Sequence, residues 1–194
     1  MLRLALSAFG SVHATLRSYN NSIGVPLTLA NLPAEADFAV VEMGMNHSGE
    51  ISELSKLSRP HIVVITTIAA THLGNFDNVA EIARAKAEIF GGLQNCGVAI
   101  LNRDNFGYGI LKKAAISVGA NVVSFGFHQE ADFKVNSFEL FPEGSLVQAS
   151  FDKQELKVRF SPNCLAEGEK GITLINLSIP DDVSSYTELQ LPYM

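Results

Sequence analysis

The chain has 194 residues, enough for one large domain or a domain with an appendage. Hydrophobic residues make up 47% and charged residues 18%, which provides for a buried core and excludes general disorder. The net charge of −6 contains no block of like charges, so a dedicated nucleic-acid surface of clustered Lys and Arg is excluded. The two cysteines, Cys96 and Cys164, match no metal-ligand spacing and make no disulfide framework, which predicts a cytoplasmic protein. No apolar run approaches the ~20 residues that span a bilayer, so membrane insertion is not expected.

Leu2 to Phe9 reads as a mostly apolar helix stopped by Gly10, too short and too poor in charge for a signal peptide. From Asp37 the pattern alternates between short apolar runs and helical stretches. Phe38 to Met43 reads as a strand, Ile51 to Leu57 as a helix closed by Pro60, and His61 to Thr66 as a buried strand. Val79 to Leu93 reads as a helix, Val98 to Leu101 as a strand, Tyr108 to Val118 as a helix stopped by Gly119, and Val122 to Phe125 as a strand. This alternation with β-branched strands predicts an α/β fold, a mostly parallel sheet flanked by helices, over residues 37–126. Beyond Gly126, three segments alternate apolar and polar residues: Asp132 to Leu140, Ser145 to Phe151 and Glu155 to Phe160. Turn residues separate them, which predicts a small antiparallel meander over residues 130–160. From Ser161 the periodicity fades, and residues 161–194 are expected to form a divergent, poorly packed tail.

Ligands of open α/β sheets bind at the carboxyl ends of the strands. Glu42 lies at such an end and reads either as a Mg²⁺ ligand or as a solvated strand-end carboxylate. His72 follows the second buried strand by a few residues and would also sit near that edge. Lys86 falls on the apolar stripe of Val79, Ile82, Ala83, Phe90 and Leu93, while Glu81, Arg84 and Glu88 form the outward charged face. An inward lysine has its pKa lowered by desolvation, and its neutral amine can add CO₂ to give an anionic carbamate ligand. The other reading of Lys86 is a lysine snorkelling at the edge of the stripe. The chain contains no Gly-Lys pair and no G-x-G-x-x-G after a strand, so no P-loop can be assigned.

Several segments in order resemble the Mur ligase family. Asn20 to Leu29 is similar to its N-N-x-x-G-V-P-L-T-L signature. Glu42 to Ile51 resembles E-M-G-M-N-H-x-G-E-I, Ile82 to Phe90 resembles I-A-x-A-K-x-E-I-F, and Ala99 to Asp104 matches the strand with its L-N-x-D turn. The resemblance covers roughly residues 1–160 and implies the central ATPase domain, without its P-loop strand. It implies an ATP- and Mg²⁺-dependent amide ligase of peptidoglycan precursor synthesis, usually monomeric. The E-M-G-M-N-H segment points to the member that joins D-alanyl-D-alanine to UDP-N-acetylmuramoyl-tripeptide. Its reaction activates a peptide carboxylate as an acyl phosphate, which an amine then attacks. In that family Glu42 would bind Mg²⁺, His72 would help hold a second Mg²⁺, Lys86 would be the carbamylated lysine supporting it, and Asn20 and Asn21 would lie by the phosphates.

The chain departs from the family in three places. Thr67 stands where many members have Asn, and Gly74 follows Leu73 where they have Glu. The family's P-loop strand precedes the helix that Met1 to Phe9 resembles, and an N-terminal and a C-terminal domain flank the central one. The expectation is therefore a ligase fragment, inactive alone. Two other readings stay open: a non-catalytic remnant or binding module, and a metal-dependent hydrolase using Glu42, His72 and Lys86. The hydrolase would need further His ligands at clear spacing.

Overall fold

The computed structural model describes residues 2–16, 18–69, 75–142, 144–160, 174–178 and 187–190, with side chains described as far as Val158. In chain order the first elements are α1 (Leu2–Leu6), β1 (Val12–Ala14), α2 (Gly24–Ala30), β2 (Phe38–Val40), α3 (Glu50–Ser58) and β3 (Ile62–Ile65). Then come α4 (Val79–Ala87), a 3₁₀ turn (Glu88–Gly92), β4 (Val98–Asn102), α5 (Tyr108–Ser117) and β5 (Asn121–Gly126). The last five strands are β6 (Phe133–Phe141), β7 (Gly144–Phe151), β8 (Gln154–Phe160), β9 (Leu174–Ser178) and β10 (Thr187–Gln190). The chain divides into two compact units, one of Met1–His13, Pro33–Val40 and Phe127–Met194, the other of Ala14–Leu32 and Val41–Gly126.

The second unit is the α/β part. β3, β4 and β5 run parallel in the order β5-β4-β3, with Ile62 opposite Val98 and Val98 opposite Asn121. Val63, Ile65, Ala99 and Leu101 from the strands are buried with Ile82, Ala83, Ala85 and Phe90 from α4 and its 3₁₀ extension, and with Leu111 and Ala115 from α5. β3 is an unbroken β-branched run, and burial alternates along β3 and β4: Val63, Ile65, Ala99 and Leu101 face the core while the alternate residues are exposed or half-buried, correcting the expectation of strands buried on both faces. α4 starts where Asn78 Oδ1 accepts the Glu81 N–H at 3.0 Å, a side-chain N-cap.

Several expectations are corrected here. The helix from Val79 to Leu93 changes to a 3₁₀ turn after Ala87, where Gly91 and Gly92 have weak helix propensity. The strand from Phe38 to Met43 stops at Val40, and β2 pairs with β1 in a separate two-stranded sheet rather than with the parallel strands. Phe38–Val40 accordingly falls outside the α/β unit. α1 ends at Leu6 rather than Phe9. α2 was not foreseen as a helix. Asn21 starts it: Asn21 Oδ1 accepts the N–H groups of Ile23 (3.0 Å) and Gly24 (2.9 Å), and its carbonyl accepts that of Val25 (3.0 Å). Pro26 sits in the first turn, where its missing N–H costs least. Asn21→Ala is expected to lower stability by about 1 kcal/mol in a urea melt, and Asn21→Gly by only a few tenths.

The first unit carries the antiparallel strands. β6 pairs with β7, and β7 with β8 through a two-residue turn at Asp152 and Lys153, whose φ values of 46° and 66° suit a type I′ hairpin. The β6 register shifts between Val135 and Ser137, the mark of a bulge. β9 pairs antiparallel with β8, and β10 with β9, so two stretches beyond Ser161 are strands. The packing of the 161–194 side chains lies outside the described residues. Near the start of this unit, Ser11 donates its N–H (2.8 Å) and hydroxyl (2.9 Å) to Asp37 Oδ2. The Ser11 backbone bond, then its side chain, hold the Asp37 carboxyl below its usual range. No helix among the described residues is long and apolar enough to cross a membrane.

Candidate metal and phosphate site

Glu42 lies in the irregular segment that follows β2. Met43 packs against the core and Met45 is buried in it, which anchors the segment on both sides of Gly44. The Glu42 N–H donates to Thr15 Oγ1 at 3.0 Å. Its carboxylate is exposed, and Oε1 accepts the Asn20 side-chain amide at 2.8 Å. Asn20 is itself held, because its carbonyl accepts the Gly44 N–H at 2.7 Å. A Cβ on residue 44 would lie 2.9 Å from Asn20 Cγ and Nδ2, so only glycine lets the amide approach this closely. The result is an anionic oxygen donor with a fixed orientation and an open aspect to water. A hard cation such as Mg²⁺ needs such a donor, since it binds through one or two carboxylates and keeps several waters or phosphate oxygens.

The structure brings Asn20 and Glu42 together across 22 residues of sequence. It places Asn21 differently, since its side-chain oxygen is committed to the start of α2 and only its amide remains to donate. Lys86 lies on α4, half-buried between buried Ala85 and half-buried Ala87, one turn after fully buried Ile82 and Ala83. His72 lies outside the described residues. Among the described residues, no three His, Cys, Asp or Glu side chains converge as a metal cluster.

Other polar residues shape this region, and sequence reading missed their roles. Asn102, at the end of β4, donates to the Thr66 carbonyl at 2.9 Å and accepts the Asp104 N–H at 2.9 Å. Asn105 donates to Thr67 Oγ1 (3.1 Å) and to the Ile68 carbonyl (3.0 Å), and accepts the Gly107 N–H (2.9 Å). The two asparagines therefore staple residues 66–68, the exit from β3, to the turn between β4 and α5. The L-N-x-D turn was the only sequence signal for this.

Glu88 is a correction. It does not belong to an outward charged face: its carboxylate accepts the Gly49 N–H with both oxygens (2.8 and 2.9 Å), and the Ser52 N–H lies 3.4 Å from Oε2. Free N–H groups at a helix N-terminus attract an anion, and α3 has no side-chain cap of its own. On the other side of the same turn, Glu50 Oε2 accepts the Asn46 N–H at 2.7 Å and Oε1 lies 3.2 Å from His47 Nδ1. The Asn46 N–H, then His47, hold the Glu50 carboxyl below its usual range. That tie is complete at neutral pH and is lost as pH falls through the lowered value.

Known proteins share this sequence and fold. Residues 1–163 match the Mur ligase middle domain. The UDP-N-acetylmuramoyl-tripeptide–D-alanyl-D-alanine ligase of Rickettsia prowazekii is 33% identical over 180 residues, covering 90% of this chain and 39% of the relative. The Escherichia coli ligase of the same name is 46% identical over 105 residues, covering 54% of this chain and 23% of the relative. A crystal structure of MurF from Acinetobacter baumannii superposes with a TM-score of 0.76 at 34% identity, covering 82% of this chain and 34% of that one. MurF from Thermotoga maritima, solved with ADP, shares the fold at a TM-score of 0.73 and 22% identity. The chain thus spans about a quarter to two-fifths of the length of these relatives.

Proposed function

The chain belongs to the Mur ligase family through its middle domain, and we propose from that premise that it is the central part of a ligase joining D-alanyl-D-alanine to UDP-N-acetylmuramoyl-tripeptide with ATP. The cytoplasm is the compartment this reading implies. The observation that carries it is the Glu42 carboxylate, exposed yet fixed by Asn20 through its side chain and by Thr15 through its backbone. The donor set fits a hard divalent cation, which when bound would neutralise charge developing on transferring phosphate oxygens. Glu42 would supply the protein oxygen, Asn20 would keep it oriented, and the free amide of Asn21 would be a donor to phosphate. Lys86 and His72 are proposed as the second cation's support, with the amine of Lys86 as the point of carbamylation. The nucleotide phosphates do not find a cradle in these 194 residues, which contain no Gly-Lys pair.

Mn²⁺ is a suitable probe, because electron paramagnetic resonance counts the free ion. The 194-residue chain is expected to bind Mn²⁺ weakly, in the millimolar range for one oriented carboxylate of order ~4 kcal/mol, and Glu42→Gln is expected to abolish that binding. Equal Mn²⁺ binding by Glu42→Gln would remove Glu42 from the site.

A further inference from the structure

We infer that Glu88 is a positioning residue that ties the segment bearing Glu42 to the helix bearing Lys86. The inference rests on the metal-site reading above. Glu88 is two residues past Lys86 in sequence, yet its carboxylate is spent on the start of α3, through the Gly49 and Ser52 N–H groups. Gly49 has φ of +93°, a left-handed conformation that side-chain-bearing residues rarely adopt, and α3 has no side-chain cap of its own, so Glu88 is the carboxylate that meets the N–H groups of this turn. α3 follows Glu42 by eight residues, and Glu50 ties the intervening loop back at Asn46.

The same pair of elements is in backbone contact further along. Ser55 Oγ of α3 donates to the Ile89 carbonyl, and a Cβ on Gly92 would overlap the Ser55 backbone. α3 and the 3₁₀ turn are therefore joined at residues 88, 89 and 92. The bond at 88 is the charged one and the nearest to both Lys86 and the Glu42 loop. A carboxylate on backbone N–H groups is stronger than a neutral acceptor and also complements the helix dipole. Ser55 and Gly92 fix the distance between the elements, and Glu88 fixes the turn from which the Glu42 loop departs. Partners that orient a metal ligand without touching the metal contribute roughly 10–100-fold to affinity.

The test uses the full 194-residue chain, Mn²⁺ as probe, and a thermal melt on every sample. Glu88→Ala is expected to weaken Mn²⁺ binding about 10-fold. Glu88→Gln, which still offers one acceptor oxygen, is expected to recover most of that loss. A Glu88→Ala chain that melts lower but binds Mn²⁺ as the wild type does would make Glu88 a helix cap only and overturn the inference. If Glu88→Ala does not fold, Glu88→Lys, which offers no acceptor to the Gly49 N–H, takes its place: about 10-fold weaker Mn²⁺ binding supports positioning, and binding equal to wild type overturns it. Loss of binding in Glu42→Gln but not in the Glu88 variants defeats this inference and leaves the metal reading standing. Binding that is indifferent to Glu42 defeats both.

Discussion

Gly92→Ala is expected to unfold the α/β unit or leave it marginal, whereas Gly91→Ala, one residue earlier, is expected to be neutral or slightly stabilising. Gly92 is buried, and a methyl there would overlap the backbone carbonyl and the hydroxyl of Ser55, which is itself fully buried. Overlap with a flexible side-chain tip can relax, but overlap with backbone must move a helix. Moving α3 would also break the Ser55 bond to the Ile89 carbonyl and the Glu88 bonds to the start of α3. Overpacking alone costs about 1–3 kcal/mol, and each of these partly exposed hydrogen bonds, when broken, adds about 0.5–1.5 kcal/mol. A domain holds only ~5–15 kcal/mol in total. At Gly91 nothing lies within 4 Å of the added carbon. There the loss of unfolded-state freedom favours alanine by ~0.4–1 kcal/mol. A urea titration of the three chains checks the contrast. Similar midpoints for Gly91→Ala and Gly92→Ala would show that α3 does not press on the 3₁₀ turn as closely as the structure has it.

The sequence pattern runs one helix through both glycines to Leu93, and the difference between them shows where its reach stops. Runs of apolar residues were legible as strands: Ile62–Ile65 and Val98–Asn102 pair in parallel, as read, but their burial alternates, so one face is buried rather than both. The meander was legible because turn residues separate segments of alternating apolar and polar residues, but the bulge between Val135 and Ser137, which breaks that alternation, was not. α2 was hidden because Gly24 and Pro26 argue against a helix, and the Asn21 cap that overrides them was read only as part of a motif. Glu88 was placed on the wrong side because a helical wheel assumes the helix continues, and this one tightens to 3₁₀ at that residue. The identities of the site residues came from the family motifs, but the contact between Asn20 and Glu42 did not. Their segments come together through tertiary packing, and nothing in either motif states that the amide of one grips the carboxylate of the other.

The purified 194-residue chain is expected to turn over no ATP and to ligate no substrate, at more than about 10³-fold below an ordinary kcat of roughly 1–10³ s⁻¹. Phosphoryl transfer leaves the protein little covalent chemistry. Its rate comes from positioning and from charge stabilisation at the transferring group. The Glu42 carboxylate, with Asn20 behind it, can hold a cation at one corner of that group. It cannot replace the row of backbone N–H groups and the lysine that fix the β- and γ-phosphates, and no Gly-Lys pair exists in the sequence to provide them. The α3 N-terminus cannot serve instead, because the Glu88 carboxylate already fills it. A bound cation without a held phosphate then gives binding without turnover, so wild-type chain and Glu42→Gln should be equally silent in a phosphate-release assay while differing in Mn²⁺ binding. Phosphate release by the wild-type chain that Glu42→Gln abolishes would show that these residues assemble a phosphate cradle of another kind.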